Sequence, residues 1–176
     1  IDKLVGECLS GLAGDGYVLD QMHHGPASER RAANLRDRVR SEPFSLALHD
    51  FTRSEAFWLF LSRDGVDVAC AAARVNTLKK DEFGDFLAAS YARLFPDFKA
   101  GARVKTSALV STIQGRAVYL GELYFDENHR GSRARLRQFV QVLFALSLQT
   151  LNADWIYVFI PKKHDLLGYG RVYGFR

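Results

Sequence analysis

The sequence predicts a mixed α/β domain: a mostly antiparallel central sheet flanked by helices. Three observations carry this. The last third reads as a strand (118–125), a polar turn, a long helix to about Leu151 and a second strand (155–160). Two apolar runs, 57–62 and 66–74, flank Arg63-Asp64-Gly65, and Asp-Gly between such runs is a strong hairpin signal. With 48% hydrophobic residues in 176, one full core can be buried, and no segment suggests a second domain.

The elements follow in order. Leu4, Val5, Cys8, Leu9 and Leu12 recur at helical spacing, predicting a helix over 2–12 that Gly14-Asp15-Gly16 breaks. Residues 17–22 read as a first strand. Pro26-Ala27-Ser28 reads as a helix start with Ser28 as N-cap. Over 29–40, Ala32, Leu35 and Val39 line one face against Arg30, Arg31, Arg36, Arg38 and Arg40, and Pro43 ends the helix. The hairpin comes next. A helix over 79–95 carries Phe83, Phe86, Leu87, Tyr91 and Leu94, and Pro96 stops it. Residues 102–111 read as an extra strand, and Gln114-Gly115-Arg116 as the turn into the strand at Val118. The long helix after Arg133 is apolar nearly all round in its second half, which predicts burial against the sheet.

Composition excludes several classes. The formal net charge is +4, mild enough to suit an acidic ligand without demanding one. Cys8 and Cys70 stand far apart, and the five histidines form no ligand-spaced pattern, so no metal site is expected and a reduced, cytoplasmic setting is. The most apolar run, 139–148, is too short to cross a bilayer of about 30 Å, and the first residues carry no signal-peptide pattern.

The last third carries the chemistry. A turn opening a helix directly after a strand presents free N–H groups and a favourable dipole to an anion. Here that turn also holds Arg130, Arg133, Arg135 and Arg137, and guanidinium forks suit phosphate oxygens. Cations at a helix N-terminus oppose the dipole, so their presence itself points to an anionic ligand.

The row Leu123-Tyr124-Phe125-Asp126-Glu127-Asn128-His129-Arg130-Gly131-Ser132-Arg133-Ala134-Arg135 resembles the strand and pyrophosphate loop of the GNAT superfamily, the acetyl-CoA-dependent N-acyltransferases. Trp155-Ile156-Tyr157-Val158-Phe159 resembles that family's fifth strand, and Tyr173-Gly174-Phe175 its ending. The resemblance covers roughly 118–175. The early helix-then-hairpin order agrees with it. Two loop glycines of the family fall on Arg133 and Arg135, Glu127 stands where it has proline, and its tyrosine position falls on Gly170, one residue after Tyr169. The family usually adds one or two strands beyond the position of Arg176.

The resemblance implies acyl transfer from acetyl-CoA or another acyl-CoA to a small-molecule amine, with Leu123, Tyr124, Phe125, Arg130, Gly131, Ser132, Arg133, Ala134 and Arg135 holding the donor. Loss of the glycines makes an acyl carrier protein an alternative donor, since it presents one phosphate and an acidic surface. Glu122, flanked by apolar neighbours, is the candidate general base. Tyr169 is the candidate general acid for the leaving thiolate, Tyr173 the other nearby hydroxyl, and His129 and His164 fall near the same cleft. Two other readings stay open: a non-catalytic binder of acyl-CoA or another anion, and, less favoured, a nucleic-acid module using the arginines of 30–40 and 130–137. A homodimer is the assembly kept in view.

Overall fold

The computed structural model describes residues 1–36, 41–52, 54–94, 108 and 110–175, with the side chains of Tyr91 and Leu94 excepted. Its centre is a five-stranded sheet in the order β1 (Tyr17–His23), β2 (Ala56–Arg63), β3 (Val66–Leu78), β4 (Gly115–Phe125) and β5 (Trp155–Tyr157). The first four strands pair antiparallel, and β5 lies parallel to β4. The β2–β3 hairpin closes with Arg63 opposite Val66, leaving Asp64 and Gly65 at φ +52° and +76°. Positive φ at both central residues is what such a two-residue turn requires.

β2 reads as an unbroken apolar run because both its faces are covered. Phe57, Leu59 and Leu61 join Ala69, Ala71, Ala73, Val118 and Leu120 in the core beneath two helices, α1 (Asp2–Gly14) and α4 (Arg133–Thr150). Trp58 and Phe60 point the other way and pack with Phe44, Cys70, Ala72 and Ala32, the last from α2 (Pro26–Leu35). This is the period-two alternation of a pleated strand. A third cluster, Leu78, Phe83, Leu87 and Ala117, seats α3 (Phe83–Leu94).

Several elements differ from expectation, each for a local reason. α2 begins at Pro26 with Gly25 at the N-cap. Ser28 lies inside the first turn, where its hydroxyl accepts from the Gly25 N–H at 3.0 Å. α2 ends at Leu35, where Arg36 turns extended, so Pro43 does not terminate it; Pro43 sits in a 3₁₀ turn over Glu42–Phe44. Arg38, Val39 and Arg40 lie outside the described residues, as do Phe95 and Pro96. α3 starts at Phe83 rather than 79. Most of the expected strand 102–111 lies outside the described residues, and its end belongs to a 3₁₀ turn, Val110–Thr112. β4 already begins at Gly115 (φ +85°). α4 buries one broad face through Phe139, Val140, Val142, Leu143, Ala145 and Ser147, while Leu148 stays exposed. After β5 the chain forms two short helices, α5 (Lys162–Leu166) and α6 (Tyr169–Tyr173). Among the described residues no helix is long and apolar enough to cross a membrane.

Candidate functional site

β4 is paired on both edges only near its start. β5 pairs with it from Ala117–Trp155 to Tyr119–Tyr157 and then leaves the sheet. The expected strand 155–160 therefore ends at Tyr157, and Val158 to Ile160 diverge from Leu120 and the residues after it. On the opposite edge the β3–β4 register slips: Cys70 faces Tyr124 and Ala72 faces Gly121. Glu122 and Leu123 thus share one position of β3, which is a bulge. Glu122 takes φ +55° there, a conformation a non-glycine residue adopts at a cost. The bulge turns its carboxylate to the cleft wall beside the splay, where the residue is buried and Oε1 accepts from the Ser41 N–H at 2.9 Å.

The splay opens into a chain of cavities. The middle one, about 390 Å³, is walled by Leu120, Glu122, Leu123, Val158, Phe159 and Tyr173 among others. It shares Arg36, Leu123, His164 and Tyr173 with a cavity of about 590 Å³ that runs to the start of α4 and is walled there by Tyr124, Phe125, Arg130, Gly131, Ser132 and Arg133. A third chamber of about 230 Å³ meets the middle one at Tyr119 and Phe159.

The turn into α4 is built by two residues. Gly131 takes φ +94°, with nothing within 4 Å of where a Cβ would stand. Ser132 caps the helix, its hydroxyl accepting from the Arg135 N–H at 3.2 Å. The N–H groups of Arg133 and Ala134 are left without intrahelical acceptors, at the positive end of the helix dipole.

The arginines separate by role. Arg130 donates from Nε to the Phe125 carbonyl at 2.8 Å and lies 5.7 Å over the Tyr124 ring. Arg133 is exposed at the cavity rim. Arg135 turns away. Its guanidinium lies 4.4 Å over Tyr17, Nη1 donates to the His129 carbonyl at 3.0 Å, and Nη2 stands 4.0 Å from Asp15. Among the described residues its buried Nε has no acceptor. Arg135 therefore props the loop from behind, and with exposed Ala134 it does not line the cavity. His129 is held by a 3.0 Å hydrogen bond between Nδ1 and the Tyr17 hydroxyl. On α2, Arg31 is likewise occupied: it pairs with Asp67 from Nε and Nη2 at 2.7 and 2.8 Å and with Asp20, over the Phe60 ring.

On the far wall, Tyr169 is exposed, its ring centroid 5.4 Å from that of His164 and 5.9 Å from that of Tyr173. Tyr173 is half-buried and borders both larger cavities. Burial, aided by Tyr169, pushes its hydroxyl pKa up, so it holds its proton at neutral pH. Sequence reasoning left this ring in second place, because the motif offset drew attention to Tyr169. It also missed Arg36, which reaches both larger cavities and lies 5.1 Å over Tyr124. Arg36 had been one charge in a basic stripe, and no local pattern sets it apart.

No protein-family model and no curated protein matches the chain. Solved structures do match it. An aminoglycoside acetyltransferase from an uncultured soil metagenomic sample, in complex with trehalose, superposes over 91% of this chain and 88% of its own, with TM-score 0.50 at 9% identity. A predicted acetyltransferase with acetyl-CoA from Clostridium acetobutylicum superposes over 91% and 90%, with TM-score 0.50 at 12% identity. At that identity the likeness is one of fold: this chain has the mixed α/β fold of the GNAT acetyltransferases.

Proposed function

We propose that the protein is an N-acyltransferase that moves an acyl group from a thioester donor to a small-molecule amine. The observation that carries this reading is the splay between β4 and β5, with buried Glu122 at a bulge on its wall and the uncapped N–H groups of α4 at its end. The fold it shares with acetyltransferases supports the same chemistry.

The residues present fit acetyl-CoA or a longer acyl-CoA. Leu123, Tyr124 and Phe125 lie along the edge that β5 leaves, where an amide-containing arm can form backbone hydrogen bonds, with the Phe125 carbonyl already accepting from Arg130. The open space at Gly131 and the N–H of Arg133 receive phosphate oxygens, with Arg130 and Arg133 at the rim to add charge. Arg135 stands where the family has glycine, but it folds back over Tyr17 and leaves the turn open. When bound, the donor supplies an activated acyl carbon.

Glu122 takes the proton that the amine must lose, directly or through a water. The hydrogen bond from the Ser41 N–H fixes its carboxylate at the cleft wall. Tyr173, protonated and facing the cleft from the other wall, gives a proton to the departing sulfur, with Tyr169 beside it as the more exposed alternative. An acyl carrier protein is the second donor class. Arg36, Arg130 and Arg133 border the outer cavity and suit the single phosphate and acidic surface it presents.

A thermal-shift titration tests donor binding, using free CoA, acetyl-CoA, a long-chain acyl-CoA and holo acyl carrier protein. A donor that binds the folded state raises Tm with concentration. Arg133→Ala is expected to weaken the binding by about tenfold while leaving the unliganded Tm within about 2 °C. No shift with any of the four contradicts the proposal.

A further inference from the structure

The third chamber of the cleft names an acceptor class. Half of its lining is aromatic or aliphatic, Tyr119, Tyr157 and Phe159 among it, and three charged groups stand in its wall: Glu42, Arg74 and Arg93. Glu42 is buried and already matched. Its Oε1 accepts from Arg93 Nε at 2.7 Å and stands 3.1 Å from His49 Nε2. Arg74 is different. It is half-buried, and its Nη1 donates to the Pro43 carbonyl at 2.8 Å while Nη2 stands 3.5 Å from His49 Nδ1. Among the described residues no carboxylate lies within ion-pair distance of it, and most of its five donors have no protein acceptor.

Removing a cation from water without a matching anion is unfavourable, and the cost disappears when a ligand brings the anion. A guanidinium fork in an apolar wall is the arrangement that recognises a carboxylate. The same wall repels a polycationic amine, because its net charge is already positive.

We propose that this chamber is the acceptor subsite and that the acceptor is a small amino acid with an apolar or aromatic side group. Its carboxylate pairs with Arg74, its side group lies against Tyr119, Tyr157 and Phe159, and its amine reaches Glu122 in the adjoining cavity. The inference rests on the acyl-transfer reading and narrows it. In the step itself, the amine nitrogen bonds to the acyl carbon and the carbon–sulfur bond breaks. The amine proton passes to Glu122, and the leaving sulfur takes a proton from Tyr173.

The test uses a matched pair, L-phenylalanine and phenethylamine, which differ by the carboxylate alone. Thiol release from acetyl-CoA and from a long-chain acyl-CoA is expected to favour phenylalanine in kcat/KM by about 10- to 100-fold. Arg74→Gln erases the preference, and Arg74→Lys restores part of it. Equal or better use of phenethylamine, with transfer intact, overturns the amino-acid assignment and leaves acyl transfer standing.

A donor-free arm separates the two failures. N-acetyl-L-phenylalanine is expected to raise Tm for the wild type and for Glu122→Gln but not for Arg74→Gln. Binding that follows this pattern without any transfer upholds the subsite against the enzymatic reading. Absence of any shift in the wild type overturns the subsite. Circular dichroism on Arg74→Gln confirms that its loss is local, and Arg93→Gln, expected to weaken binding less, serves as the second variant.

Discussion

The two halves of β4 are one strand in two environments. From Ala117 to Tyr119 it pairs with β3 on one side and β5 on the other, and Ala117 and Val118, on opposite faces, are fully buried. From Leu120 to Phe125 the β5 edge is open, the β3 register slips, and Glu122 sits at positive φ. Where both edges are paired, strands flank the chain on either side and the side chains pack. Where one edge is released, backbone donors, a buried carboxylate and a run of cavities meet. Stability and candidate chemistry thus divide within a few residues of a single strand, and the strain is confined to the half that faces the cleft.

The contrast can be tested through the layers that support it. Phe139 is fully buried under the sheet and meets Phe125 edge-to-face at 5.4 Å. Phe139→Ala is expected to cost about 3–5 kcal/mol by leaving a cavity, visible as a lower urea midpoint. A loss under 1 kcal/mol would show that the packed layer is not the scaffold claimed here.

The opposite layer carries a pH signature. Trp58 Nε1 donates to His24 Nδ1 at 2.7 Å, and His24 Nε2 therefore carries the proton it gives the Phe44 carbonyl at 2.9 Å. Burial above all pushes the His24 pKa down to about 4 from 6.5. As pH falls, the unfolded chain takes this proton first. The stabilisation is complete above about pH 6.5 and is lost between about 6.5 and 4, at roughly 1.4 kcal/mol per pH unit. Chemical denaturation at pH 7, 6 and 5 should show this slope, and His24→Gln should flatten it. A slope unchanged in His24→Gln would contradict the assignment.

A smaller effect is expected at the boundary between the halves. A Cβ on Gly121 would stand 2.7 Å from Phe44 Cε2 and 3.0 Å from Tyr119 Cε1, and Phe44 is fully buried. Gly121→Ala is expected to cost about 1–3 kcal/mol. Because the bulge follows directly, it should also depress acyl transfer more than the stability loss explains. Activity unaffected by Gly121→Ala would show that the bulge geometry does not matter.

Much of the scaffold was legible in the sequence, because local rules set it. Asp64-Gly65 dictated the hairpin, and the apolar spacing after Arg133 dictated α4. The exit of β5 was not legible: residues 155–160 are apolar throughout, and composition cannot tell which of them leave the sheet. Nor was the bulge placed: a lone glycine in a strand, here Gly121, is a bulge signal, but the slip itself depends on pairing with residues 70–72. In the arginine run, helical spacing already sets Arg135 apart from Arg130, Arg133 and Arg137, and the structure places Arg133 at the cavity and Arg135 behind the loop. Arg36, Arg74 and Glu42 reach the cleft from distant parts of the chain, so their meeting is a property of the sheet order and not of any motif.

The most direct test of the central claim is thiol release from an acyl-CoA in the presence of an amine acceptor, comparing wild type with Glu122→Gln. Measurable transfer by the wild type is expected, with a fall in kcat of about 10²-fold or more in the variant and donor KM little changed. Wild-type and variant rates that coincide, or donor binding without transfer to any amine, would contradict that claim and identify the open half of β4 as a binding cleft without catalysis.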